Sequence, residues 1–335
     1  MKRLATTLLT AFVALPSCSD TAVVRESLAS EILPHSIETM MPGSMMVSAD
    51  YIVWEDPFMG EYFLHVLDKY GKELGQALRR GNGPDEMITP RYGLSPDNTL
   101  FAFDLNAAKQ FAILLDSLPE TKITERYNIT FEQYVSRIIP TREGELLLFN
   151  PTSDTPFSVY DKASGQIAYS FGTAPAEGKI ENGSDFFQGI VSYDPYKDEI
   201  IYSTNRVPYM AVYGRQNGRF EKIRERALPS GDYTIKNGEF RYDGSQRGAR
   251  ELAVCKDYIV TVDRDTKLDH TDEASVGRDA TKLPKTVFVY NRDLELLKIV
   301  DTGIPLIRIA ADGSDNTVYA IGIESDHQLL RFEIQ

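Results

Sequence analysis

Five oxygen-bearing residues recur at one point of a repeating pattern: Asp56, Asp104, Asn150, Asn205 and Asp263 each fall at or just past the end of an apolar run. Carboxylate and amide oxygens converging on an axis are what Ca²⁺ coordination requires, because a hard cation takes oxygen ligands. The same residue types also cap turns by hydrogen bonding to their own backbone. Recurrence in successive units is what a turn requirement predicts, whereas a dedicated metal site breaks the symmetry with unusual ligands in only a few units. Turn capping without a cofactor is therefore the expectation, and calcium held by these five residues is the alternative.

A second group lies in the polar stretch 264–285, which holds Asp269, His270, Asp272 and Glu273 and almost no large apolar residue. Long loops on a rigid scaffold tend to carry recognition, so these four are the candidate ligand-binding residues. The remaining chemistry is sparse. The four histidines, His35, His65, His270 and His327, are scattered, and His65 sits inside an apolar run where a structural imidazole is expected. Asp85 and Glu86 are adjacent in a turn, which suits capping better than paired acid and base work. No phosphate-binding loop, nucleophile elbow, zinc-type Cys and His spacing or His-Glu-x-x-His sequence is present. No catalytic residue is assigned.

The elements that must position these groups are short strands. Runs such as Tyr51-Ile52-Val53-Trp54, Leu100-Phe101-Ala102-Phe103, Leu146-Leu147-Leu148-Phe149, Ile200-Ile201-Tyr202, Ile259-Val260-Thr261-Val262 and Val318-Tyr319-Ala320-Ile321 recur about every 50 residues. Each is bounded by Gly, Asp, Asn or Pro and followed by a second apolar run, the signature of strands joined by turns. The first five units each read as four strands, as a propeller blade requires. The second unit is expected at 91–95, 99–104, 109–115 and 122–127, and the third at 133–139, 145–150, 157–161 and 167–171. The fourth is expected at 189–193, 199–203, 209–213 and 220–225, and the fifth at 250–255, 258–263, 286–290 and 294–300. The first unit begins at 44–47 and closes at 73–79.

The sixth unit has only three candidate strands, 306–310, 317–321 and 328–334, before the sequence ends at Gln335. An unfilled blade exposes a sheet edge, which invites aggregation. Residues 23–28 and 31–33 carry the apolar pattern to supply the missing outer strand, so the two ends of the chain are expected to close the ring together. An amphipathic helix over 25–33 is the competing reading.

Met1-Lys2-Arg3 followed by the small and apolar run 4–15 has the anatomy of a secretory signal, and the run is too short to span a bilayer. Residues 1–17 are accordingly expected to be a signal peptide, residues 18–43 an N-terminal segment with the ring-closing strand, and residues 44–335 the propeller; the resemblance of Leu15-Pro16-Ser17-Cys18 to a lipobox implies that the signal is of the lipoprotein kind and the segment lipid-anchored. The chain carries 36 Lys and Arg against 49 Asp and Glu, a formal net charge of −13, which repels phosphate backbones and disfavours nucleic acid as a partner. Cys18 and Cys255 are the only cysteines, and if Cys18 carries lipid no intramolecular disulfide can form. Cys255, in Leu252-Ala253-Val254-Cys255, reads as a buried strand thiol.

The turn Gly81-Asn82-Gly83-Pro84-Asp85-Glu86, then Pro90, then Leu100-Phe101-Ala102-Phe103-Asp104 and Lys109-Gln110, resembles an NHL-type repeat. Phe171-Gly172-Thr173-Ala174-Pro175-Ala176-Glu177 is similar to a degenerate second copy. Leu15-Pro16-Ser17-Cys18 resembles a lipobox, with Cys18 as the lipidated residue. The whole chain resembles the six-bladed TolB-like β-propeller lipoproteins of Gram-negative bacteria. That resemblance implies an all-β, six-bladed propeller in the cell envelope, anchored by lipid to a bacterial membrane, with the outer membrane the expected one. It implies non-enzymatic binding or scaffolding, with a protein or small-molecule ligand at a loop-rich face. The rival is a metal-dependent hydrolase of the lactonase kind, or a lyase, using oxygen ligands at the central channel.

Overall fold

The computed structural model describes residues 23–104, 106, 109–127, 129 and 134–335. Cys18 and the proposed signal peptide lie outside the described residues. Six antiparallel sheets follow one another along the chain and form the blades of a β-propeller. The first blade is built from Met45–Val47, Tyr51–Glu55, Tyr62–Asp68 and Glu73–Arg80, and the second from Pro90–Leu94, Thr99–Asp104, Lys109–Leu114 and Lys122–Arg126. The third comprises Arg137–Pro140, Leu146–Phe149, Phe157–Asp161 and Gln166–Phe171, and the fourth Gly189–Asp194, Glu199–Thr204, Met210–Gln216 and Arg219–Arg226. Glu251–Val254, Tyr258–Val262, Thr286–Asn291 and Leu296–Asp301 make the fifth, and Leu306–Ala310, Thr317–Ile323 and His327–Glu333 belong to the sixth.

The stretch before the first blade forms two strands, not a helix. Glu31–Ile37 pairs antiparallel with His327–Glu333, as the outermost strand of the sixth blade. Val24–Ser27 pairs parallel with Leu296–Asp301, a fifth strand on the fifth blade that the repeat pattern did not anticipate. Both segments lie against sheet edges that would otherwise leave backbone N–H and C=O groups without ladder partners.

The core is divided into six clusters, each shared by two consecutive blades. Val53, Leu64 and Val66 of the first blade meet Leu100, Ala102 and Phe111 of the second, and Phe101 and Phe103 turn the other way to meet Ile138, Leu146 and Leu148 of the third. The third and fourth blades share an aromatic cluster of Phe149, Phe157, Tyr202 and Tyr213. Ile201 and Val212 meet Leu252 and Ile259 between the fourth and fifth. The fifth and sixth interlock through Val260, Val289, Val318 and Leu330. Leu33, Ile37 and Leu329 meet Ile52 and Trp54 between the sixth and the first. Alternate side chains of one strand thus face different neighbouring blades, so the central strands are buried on both faces and their sequences are continuous apolar runs. At roughly 1.5–3 kcal/mol for each large apolar side chain buried, these contacts supply the main drive for closing the ring.

The glycine-rich turn of the NHL-like sequence joins the first blade to the second. Gly81 has φ +142, and a Cβ there would meet the Glu86 carboxylate at 2.1 Å. Glu86 in turn accepts the Gly83 N–H at 2.8 Å, and Lys109 Nζ donates to the carbonyls of Asn82 (3.1 Å) and Glu86 (2.9 Å). Asp85 pairs with Arg126 at the surface. These residues shape the connection between blades.

Candidate functional site

Each innermost strand starts opposite the end of the second strand of its own blade. The registers Met45↔Trp54, Pro90↔Asp104, Arg137↔Phe149, Gly189↔Thr204 and Glu251↔Val262 show this directly. Residues just after the second strands therefore lie at the same end of the ring as the heads of the innermost strands. The connections between blades and the stretch 264–285 lie there too, which makes this end the loop-rich face.

The innermost strands enclose a cavity of about 660 Å³ along the axis. Its mouth at the loop-rich face is lined by Ser44, Glu55, Arg91, Tyr92, Ser136, Arg137, Asn205, Arg250, Glu251 and Arg308. Close approach of the second and third blades sets this geometry, since a Cβ on Gly93 would lie 2.2 Å from the Ile138 carbonyl oxygen. Only glycine lets the two strands, which carry Arg91 and Arg137 near their heads, come this near.

Among the described residues the charges at the mouth are arranged in pairs, except for Glu55, Arg91 and Arg137. Arg308 donates to Glu251 at 3.0 Å and also to the Gly43 carbonyl. Burial pushes the Glu251 carboxyl above the ordinary value, opposed by Arg308 and Arg137. Glu55 accepts the Ser44 N–H at 2.9 Å. Burial and the nearby Glu55 charge push the Tyr92 phenol well up. Arg250 pairs with Glu273 of the long connection. Arg91 donates only to the neighbouring Pro90 carbonyl, at 3.2 Å, and Arg137 makes no ion pair or hydrogen bond among the described residues.

Four of the five recurrent oxygens accept backbone N–H groups of nearby turns, and Asp104 also bonds the connection that leads into its blade. Asp56 accepts Phe58 N (3.0 Å), Met59 N (2.9 Å) and the Thr39 hydroxyl (2.7 Å). Asp104 accepts Thr89 N (2.7 Å), Asn106 N (2.9 Å) and Ile88 N. Asn150 accepts the Thr152 N–H (3.1 Å) and hydroxyl (2.7 Å), and Asp263 accepts Arg264 N at 2.8 Å. Burial pushes the Asp263 carboxyl up to about 6 against the pull of Arg250, Arg247 and Arg264. Asn205 is exposed and lines the cavity. Among the described residues no group of three or more His, Cys, Asp and Glu side chains is placed to hold a metal ion.

The long connection is folded around Arg264. This guanidinium pairs with Asp269 and, at 2.9 Å, with Glu273, and also donates to the Lys282 carbonyl. Burial would raise the Asp269 carboxyl, yet the Thr271 and Arg264 donors hold it below the ordinary value. Asp265, almost fully buried, accepts from Arg25 of the N-terminal strand at 2.8 Å. Asp269 and Glu273 are thus brought together, whereas His270 is exposed with Nδ1 at 2.9 Å from the Thr266 carbonyl, and Asp272 caps a short turn through Ala274 N. The arginines organising both groups are what sequence reasoning missed. Their signal was present in part: Arg91 and Arg137 occupy the same register position at the head of the innermost strand in two successive units, and Arg250 lies one residue before that position in the fifth.

No family model matches the chain, and no curated protein matches it. Among solved structures it is similar to a protein of Bacteroides fragilis assigned as exported, at 12% identity and TM-score 0.58, covering 92% of this chain and 98% of that one. It is also similar to a member of the duf4221 family from Bacteroides vulgatus, at 12% identity and TM-score 0.58, over 93% of this chain and 98% of that one. The β-propeller domain of Cps50 (Swd1) from Myceliophteria thermophila aligns at 9% identity and TM-score 0.50, over 91% of this chain and all of that one. These likenesses show the fold, a six-bladed β-propeller.

Proposed function

We propose that this chain is an exported, lipid-anchored propeller of the TolB-like kind that binds a ligand or partner at its loop-rich face, without a chemical step and without a resident metal. The observation that carries this reading is the Arg264 network. It fixes the long connection at the same end of the ring as the open, arginine-bearing mouth, and Arg250 ties the two through Glu273. Residues ordered in this way form a preorganised recognition surface, which lowers the entropic cost of binding. The hydrogen bonds of Asp56, Asp104 and Asn150 favour a binder over a calcium-dependent hydrolase, because their oxygens are engaged with backbone N–H groups. Export is supported by the signal-like residues 1–17 and by the exported assignment of a structural neighbour.

Thermal melts against small ligands sorted by charge, each with chelator present, test the reading. At least one class should raise the melting temperature by mass action, and the ligand should be recovered unchanged by mass spectrometry after prolonged incubation. Conversion of the ligand, or stabilisation that requires calcium, would overturn it.

A further inference from the structure

We infer that the mouth of the axial cavity is a site for a small multivalent anion, whose negative groups are held by Arg91 and Arg137. The inference rests on the binding role proposed above and names the class of ligand. The cavity, about 660 Å³, is of the size that holds metabolite-scale ligands. Its charge opposes that of the molecule: the chain as a whole stands at −13, while the cavity lining carries five arginines against three carboxylates.

Those carboxylates are already engaged. Glu251 holds Arg308 (3.0 Å), Asp312 holds Lys69 (2.9 Å), and Glu55 accepts the Ser44 N–H (2.9 Å). Arg142 and Arg250 are paired outside the cavity, with Asp198 and Glu273. Arg91 and Arg137 are left without a carboxylate among the described residues, on adjacent strands locked together by the Gly93 and Ile138 contact. Arg137 also lies within electrostatic range of Glu251 and Tyr92. A guanidinium is planar and offers parallel N–H donors that match carboxylate or phosphate oxygens. The acidic exterior repels the same anions, so the positive mouth is the place where they are favoured.

Isothermal titration of the purified protein at low ionic strength, with citrate and with inorganic pyrophosphate as probes and glucose and choline as controls, tests this. The two anions distinguish carboxylate from phosphate preference. Arg91→Ala and Arg137→Ala should each weaken binding of the preferred anion at least tenfold, and Arg137→Lys should retain part of it. The exposed Arg219→Ala should leave it unchanged, and added salt should weaken it. Circular dichroism melts establish that each variant is folded, and Arg137→Lys serves where Arg137→Ala is not. Neither anion binding, or binding that survives the double Ala variant, overturns the inference. Should glucose or choline bind in place of the anions, the anion site falls and the binding role stands, whereas binding by none of the four removes the anion site and leaves the binding role to the wider ligand series.

Discussion

His35 Nε2 accepts the indole N–H of Trp54 at 3.1 Å, across the seam between the sixth blade and the first. Trp54 stacks on His65 with ring centroids 4.2 Å apart and planes at 5°, and His65 Nδ1 lies 3.1 Å from Glu73. The seam therefore depends on His35 being neutral, because a protonated ring has no acceptor nitrogen. Burial lowers the His35 pKa from 6.5, opposed by the Glu73 charge and reinforced by His65.

The first prediction follows from that sign. A histidine whose folded value is depressed contributes stability that is fully present above its unfolded value of 6.5 and is lost as pH falls through the lower folded value. The melting temperature should drop between pH 7.5 and 5. His35→Asn, which keeps an acceptor but does not titrate, should flatten that slope. An identical slope in the variant would show that His35 has no part in the acid loss.

At the channel mouth, Arg308→Met should lower unfolding free energy by about 1.5–3 kcal/mol, the worth of a hydrogen bond to a charged group, because the Glu251 carboxylate, already raised by burial, loses its charged partner. Pairing that change with Glu251→Gln should recover part of the loss, since removing both charges avoids leaving one of them uncompensated. Urea titrations of the single and double variants measure both effects.

The turn caps should be unequal. Asp104 is 1% exposed and accepts from the backbone of Ile88, Thr89 and Asn106 among the described residues, whereas Asn150 is half-buried and serves Thr152. Asp104→Ala should cost about 3 kcal/mol, through lost charged hydrogen bonds and stranded N–H groups, and Asn150→Ala about 0.5–1 kcal/mol. Melts with calcium and with chelator should give the same ranking. A calcium-dependent midpoint that disappears in Asp104→Ala would favour the metal site.

Asp263 should work against the fold at neutral pH. Its folded pKa is raised to about 6 from 3.8, so its contribution is fully present below 3.8 and is lost as pH rises through 6. Asp263→Asn should stabilise the protein by about 1–3 kcal/mol above pH 7 and should gain little at pH 4. Equal effects at both values would rule out the raised carboxyl.

The propeller was legible because its strands are buried on both faces. Leu100-Phe101-Ala102-Phe103 reads as an unbroken apolar run since Ala102 serves one interblade core and Phe103 the next, and the run recurs with every blade. The parallel pairing of Val24–Ser27 with the fifth blade was not legible, because no local pattern specifies which edge an isolated short strand will find. The hairpin Tyr233–Lys236 with Glu239–Tyr242, inserted between the fourth and fifth blades, breaks the repeat and left no periodic mark. At the site, the acidic residues of the long connection stood out by composition. That Arg264 organises them, and that the Arg137 side chain has no carboxylate partner among the described residues, became visible only once strand heads from different blades were placed around one axis.

The most direct test of the loop-rich face as the binding face blocks one end of the ring at a time. In a Cys18→Ser background, Asn205→Cys at the channel mouth or Ser164→Cys in an exposed turn at the opposite end can be coupled to a bulky maleimide, while Cys255 stays protected by full burial, which also pushes its thiol up. Binding of citrate and pyrophosphate is then measured before and after coupling. Modification at residue 205 should abolish binding and modification at residue 164 should leave it intact. Loss of binding at 164 with retention at 205 would place the ligand on the other face and contradict the assignment.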